Sequence, residues 1–165
     1  MKTLPAIGFI FLIVAPLIAQ TAPATSAGTS PAGIPKDWVS YAAKKAFFFY
    51  GAPDLKELEV ANLQGVLSHV GAWKNPAMSI SFDYGRYPGK VEGPDAKTEN
   101  IKIDGRDVVL TTFKDGAGIV VEEVHPGTKD NIHLSFRITC AEADVPTAVT
   151  LIKTITFGNA SASGD

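Results

Sequence analysis

Asp83-Tyr84-Gly85-Arg86-Tyr87 is where this chain concentrates its chemistry: a carboxylate, a guanidinium and two phenols within five residues. Such a set can hold a polar ligand or an acidic peptide, with aromatic bodies for contact and charges for register. On strand parity Asp83 points with Ser81, away from Phe82 and Tyr84. A plainer reading is a strand end, with Tyr84 packed inward, a bend at Gly85 and a surface Asp83–Arg86 pair worth at most about 1 kcal/mol. The run Phe47-Phe48-Phe49-Tyr50 is the second set, aromatic on both faces of an extended strand. If that strand lies beside the bend at 84–87, then Phe48, Tyr50, Asp83, Arg86 and Tyr87 form one aromatic, partly charged binding surface. A helical layer over Phe48 and Tyr50 would instead leave nothing there to bind.

Other chemistry is thin. His69, His125 and His133 share no HxH or HxxxH spacing, and no Cys or Glu-x-x-His companion completes a ligand set. No metal and no other cofactor is expected. The hairpin across 120–137 allows two registers. Setting Val121 opposite Phe136 buries both and puts His125 opposite Ile132; setting His125 opposite His133 would bury Glu122, which costs several kcal/mol on the scale of about 3–5 for unpaired buried charges. The first is preferred.

Ser68 and His69 adjoin, but strand neighbours point to opposite faces and do not thereby make a nucleophile–base pair. No GxSxG, HExxH, SxxK or phosphate-cradling glycine loop occurs. Glu57 with Glu59, and Glu122 with Glu123, are carboxylate pairs only in sequence. No catalytic residue is assigned. Cys140, the single cysteine, rules out a disulfide within the chain. It falls on the inward parity of its strand and reads as a buried thiol, with a disulfide-linked dimer as the alternative.

The elements that carry these residues are mostly strands. In 132–140, Ile132, Leu134, Phe136, Ile138 and Cys140 alternate with His133, Ser135, Arg137 and Thr139, so one face is buried and the other wet. Residues 78–84 alternate likewise. Between these two lie 100–104, 107–114 and 118–125, punctuated by Asp104-Gly105 and Asp115-Gly116, signals for tight hairpins with positive φ. An antiparallel meander follows. Trp38 and Val39 open a segment that can pair with the aromatic run. Asp144 as N-cap, Pro146 in the first turn and a stripe of Ala148, Leu151, Ile152 and Ile155 predict a helix leading into a short strand at 154–157. Residues 54–62 suggest a weaker helical turn. Strands followed by a packing helix make an α+β domain, an antiparallel meander covered by its C-terminal helix.

Lys2 followed by the uncharged apolar run 7–18, with Leu17 and Ala19 before Gln20, has the anatomy of a secretory signal peptide, and the run is short for a membrane span. The expected layout is a signal at 1–19, a flexible Ala/Thr/Ser/Pro leader at 20–33, one domain at 34–158 and a tail at 159–165. The product is then periplasmic or extracellular, without a stable membrane anchor after cleavage. No cysteine follows the run, which excludes lipid attachment there. Of 15 Lys and Arg only Lys2 leaves with the signal, so 14 stand against 17 Asp and Glu, a balance of −3. A weakly acidic surface without a basic block argues against nucleic acid as partner. Asn159-Ala160-Ser161 matches a glycosylation sequon.

Residues 68–73 (SHVGAW) and 78–87 (MSISFDYGRY) resemble a group of uncharacterised secreted bacterial proteins with an SxVGxW…SFDYGxY pattern. That group also ends in a helix and an IxF strand, as Ile155-Thr156-Phe157 does. The element order further resembles the PsbP-like α/β/α sandwich, which implies an antiparallel sheet covered by helices. Neither resemblance implies an activity. The leading expectation is therefore an exported, non-enzymatic module that binds an unknown protein or small ligand. Two alternatives stand beside it: a small secreted hydrolase with dispersed catalytic residues, and an accessory subunit of an envelope assembly.

Overall fold

Leu134, Phe136 and Ile138 are fully buried while Arg137 and Thr139 are not, as strict alternation requires of a strand with one covered face. The computed structural model describes residues 33–43, 46–60, 68–87, 89–124 and 131–158. His125 and Asn159, with the expected signal, the leader up to residue 32 and the tail, lie outside them. Among the described residues, ten strands and one α-helix make an α+β fold: β1 (Val39–Ala43), β2 (Phe47–Gly51), β3 (Lys56–Leu58), β4 (Ser68–Lys74), β5 (Met78–Gly85), β6 (Lys97–Ile103), β7 (Arg106–Phe113), β8 (Gly116–Val121), β9 (His133–Cys140), α1 (Val145–Lys153) and β10 (Thr156–Phe157).

The strands form two antiparallel sheets, one ordered β3-β4-β5-β9-β8-β7-β6 and the other β1-β2-β10. The meander is real from β6 to β9. Its partner β5, however, pairs with β9 through Phe82 opposite Phe136 and Asp83 opposite Ser135. The chain from β5 must therefore cross the sheet to start β6 at the far edge. Asp104 and Gly105 turn the β6–β7 hairpin with φ of +48° and +76°, the mirror-image geometry that suits a two-residue loop between twisted strands. The second Asp-Gly is displaced by one residue: Lys114 and Asp115 make the turn, and Gly116 already opposes Phe113 in the ladder.

The β8–β9 register corrects the expected one. Val121 lies opposite Leu134 and Ile119 opposite Phe136, a slip of two residues from the Val121–Phe136 pairing. Both Val121 and Phe136 remain buried, because a shift of two keeps every side chain on its own face. A second correction concerns 54–62. Lys56–Leu58 is an edge strand on β4, with Leu55 anchored in the core, so no helical turn forms over the described part of that range, 54–60.

One face of the large sheet is covered twice. Phe47 and Phe49 of β2 point down onto it, with Phe47 5.1 Å from Phe82 and 5.8 Å from Phe136, and Phe49 5.0 Å from Trp73, all edge-on. Such contacts add about 0.5–1.5 kcal/mol each to the area term. The helix α1 covers the neighbouring half with buried Ala148, Leu151 and Ile152. Asp144 precedes α1 but makes no side-chain cap. A single 3-10 turn, Glu142–Asp144, already bonds the Asp144 amide to the Ala141 carbonyl and leads the chain into the helix.

Candidate functional site

The opposite face of the large sheet carries the polar parity residues, and β5 and β9 together set the group of interest. Register places Asp83 between Val70 of β4 and Ser135 of β9, with His133 opposite Gly85. Asp83, Ser135 and His133 thus share one face and adjacent rungs. Diagonal neighbours of this kind stand about 7–8 Å apart at Cα, within reach of a bridging ligand atom.

This face is not open. The connection from β5 to β6 runs over it as a strap. The Ser135 hydroxyl donates to the Gly89 carbonyl at 2.7 Å, and the Lys114 amide donates to the Pro94 carbonyl at 3.1 Å. Between these ties Val91 lies over Gly118, where any Cβ would come within 2.7 Å of the Val91 methyl and 2.6 Å of the Phe136 carbonyl. Glycine is required there because two backbones approach. The strap explains why Ser135, Thr111 and Phe113 are buried on the polar side of the sheet. Arg137, also on this face, lays its guanidinium over the Phe113 ring at 4.9 Å.

On this face two polar atoms are buried with no hydrogen-bond partner, Asp83 Oδ1 and His133 Nδ1. Native folds pair most such atoms, and each exception asks for an explanation. The expected Asp83–Arg86 strand-end pair does not satisfy Oδ1, which accepts no bond. Arg86 and Tyr87 follow directly on β5, and Tyr87 is 71% exposed, more than any other large apolar side chain described.

Phe48 and Tyr50 sit elsewhere. With their neighbours Phe47 and Phe49 turned into the core, they face outward from the small sheet; Phe48 is exposed and Tyr50 half-buried. Their rung neighbours are Ala42 and Thr156 for Phe48 and Ser40 for Tyr50. Among the described residues no helix covers them. The small sheet and the core separate Phe48 and Tyr50 from the face bearing Asp83, so the five residues do not form one surface.

The remaining candidates resolve by face. His69 shares the covered side with Phe82, their rings 6.0 Å apart, whereas His133 is on the strap side. The two cannot share an ion, and among the described residues no group of three His, Cys, Asp or Glu could hold one. Cys140 is a buried free thiol, pushed up in pKa by burial and further by the charges of Asp144 and Asp115. That is the opposite of an activated nucleophile. Asp83, His133 and Ser135 have the residue types of a hydrolytic triad but not its arrangement. Ser135 is buried and its proton goes to the Gly89 carbonyl, so it has neither access to a substrate nor a bond to a base.

Alternation in each strand shows that His133 and Ser135 lie on the wet parity, as Asp83 does on its own. Their juxtaposition depends on β5 pairing with β9, and no local signal in the sequence carries that. No family model, no curated protein and no solved structure matches the chain.

Proposed function

We propose that this protein is an exported, non-enzymatic binding module whose ligand enters beside the strap and is held by Asp83 and His133, with Arg86 and Tyr87 at the rim. The observation that carries this reading is the pair of buried, partnerless polar atoms on one face. Each such atom costs about 1–3 kcal/mol in the free protein, a penalty that a bound polar group removes. Exposed Tyr87 adds the type of aromatic surface on which interfaces concentrate their energy. Lys2 and the apolar run 7–18 support export. The resemblance of 68–73 and 78–87 to secreted bacterial proteins points the same way.

The reading is tested without knowing the ligand. Replacing a group kept for binding by an apolar one of similar size should stabilise the free protein. Asp83→Val, which places a β-branched residue opposite Val70, is expected to raise unfolding stability by about 1 kcal/mol. Urea denaturation of the exported protein measures it. A loss of stability would show that Asp83 has a structural role, and the proposal would fall.

A further inference from the structure

We infer that the group bound at Asp83 and His133 is a primary ammonium, an inference that rests on the binding site proposed above. An ionised carboxylate has only acceptor sites, so Asp83 Oδ1 can be satisfied by a donor and by nothing else. His133 Nδ1 accepts in the tautomer that carries its proton on Nε2, so a single donor-rich atom can serve both orphans. The Gly89 carbonyl, tied over Ser135 at 2.7 Å, uses one lone pair for that bond and keeps a second. Asp83 and His133 neighbour Ser135 on this face, and the Gly89 carbonyl is tied to the Ser135 hydroxyl, so three acceptors flank one position and match the three N–H donors of an ammonium.

Charge favours the same answer. An anion could serve His133 alone and would meet the Asp83 carboxylate on the adjacent rung. Of the two guanidinium groups on hand, Arg137 is directed onto the Phe113 ring and Arg86 stands at the rim, past the end of β5. A water molecule could bridge the two orphans, but it offers Oδ1 only a neutral donor, whereas an ammonium makes the shorter, stronger charge-assisted bond.

Heteronuclear NMR of the exported protein tests this directly. The His133 imidazole signal is identified by its loss in His133→Gln, and the Gly89 and Asp83 amides report alongside it. Methylammonium is the minimal probe. Nα-acetyl-lysine methylamide offers a side-chain ammonium and glycine methylamide a terminal one, so their comparison separates the two sources. Saturable shifts of the His133 ring and the Gly89 amide are expected with methylammonium and at least one of the larger amines. Asp83→Asn, which keeps shape and loses charge, should weaken that response about tenfold while leaving the rest of the spectrum in place.

Saturation by acetate or phosphate instead of the amines would overturn the ammonium and leave the binding site standing. Absence of any saturable shift would overturn the ammonium as well, and the sign of the Asp83→Val stability change then decides the fate of the site itself.

Discussion

Asp104 Oδ2 accepts the backbone N–H of Phe157 at 2.9 Å, joining the tip of the β6–β7 hairpin to the last strand across 53 positions of sequence. The same carboxylate pairs with Arg106 Nη1 at 3.2 Å, and the Arg106 guanidinium lies 4.3 Å from the Phe157 ring centroid. One turn residue thus tethers a two-residue strand that would be too short to hold its place alone.

Two substitutions separate the tether from the turn. Asp104 has φ of +48°. Glycine keeps that conformation and loses only the carboxylate, so Asp104→Gly should destabilise by about 1.5–3 kcal/mol, the range for a bond to a charged group. Asp104→Ala adds left-handed strain and should lose about 1 kcal/mol more. Equal stabilities for the two variants in urea titrations would show that the turn is not under conformational constraint. Exchange protection at the Phe157 amide should fall in both.

Neighbouring phenylalanines in β2 should behave as if they belonged to different proteins. Phe47 is fully buried against Phe82 and Phe136, and truncation to alanine leaves a cavity where aromatic contacts were; Phe47→Ala is expected to cost about 3–5 kcal/mol. Phe48 faces outward at 39% exposure, and Phe48→Ala should cost under about 1 kcal/mol. Thermal or chemical denaturation of the pair distinguishes this from a small sheet packed the other way up, in which the order of the two costs would invert.

Period-two alternation made the faces legible. Leu134, Phe136 and Ile138 inward, Arg137 and Thr139 outward, and the same for β5, all follow from which side chains tolerate water. Asp104-Gly105 marked its turn because few residue pairs accept positive φ twice. What alternation leaves open is any quantity that preserves parity. A slip of two residues between β8 and β9 buries the same set of side chains, and Val121 accordingly lies opposite Leu134, not Phe136. Strand order is equally invisible to it. Nothing local says that β5 skips β6 and pairs with β9, yet that single pairing sets Asp83 beside Ser135 and His133 and sends the strap across the sheet. The aromatic run was legible as two-sided, but which side met the core depended on Phe82, Trp73 and Phe136, residues far away in sequence. The edge strand Lys56–Leu58 is short, charged and wholly exposed, so it has no apolar period by which to declare itself.

Alkaline pH should weaken the fold, and the sign follows from three groups. Burial raises the pKa of Cys140 above the ordinary thiol value of 9.0, and raises Tyr41 and Tyr84 above the ordinary phenol value of 10.0. The nearby charges of Asp144 and Asp115 add to the effect on Cys140, and that of Asp54 to the effect on Tyr41, while Arg106 partly opposes it at Tyr84. Tyr41 also uses its proton structurally, donating to the Ala52 carbonyl at 2.6 Å. In each case the folded chain holds the proton more tightly than the unfolded one. Their contribution is therefore complete below the ordinary values and is lost as pH rises through the raised ones. Urea midpoints measured from neutrality upward should fall once pH passes 9.0, the ordinary thiol value, and fall more steeply beyond 10.0, the ordinary phenol value. Cys140→Ser should remove the earlier part of the decline and leave the later part. Tyr41→Phe should lower stability at neutral pH, through the lost bond to Ala52, and flatten the later part. A midpoint that stays constant past the phenol range would mean that these side chains are as well solvated folded as unfolded, contrary to the packing described.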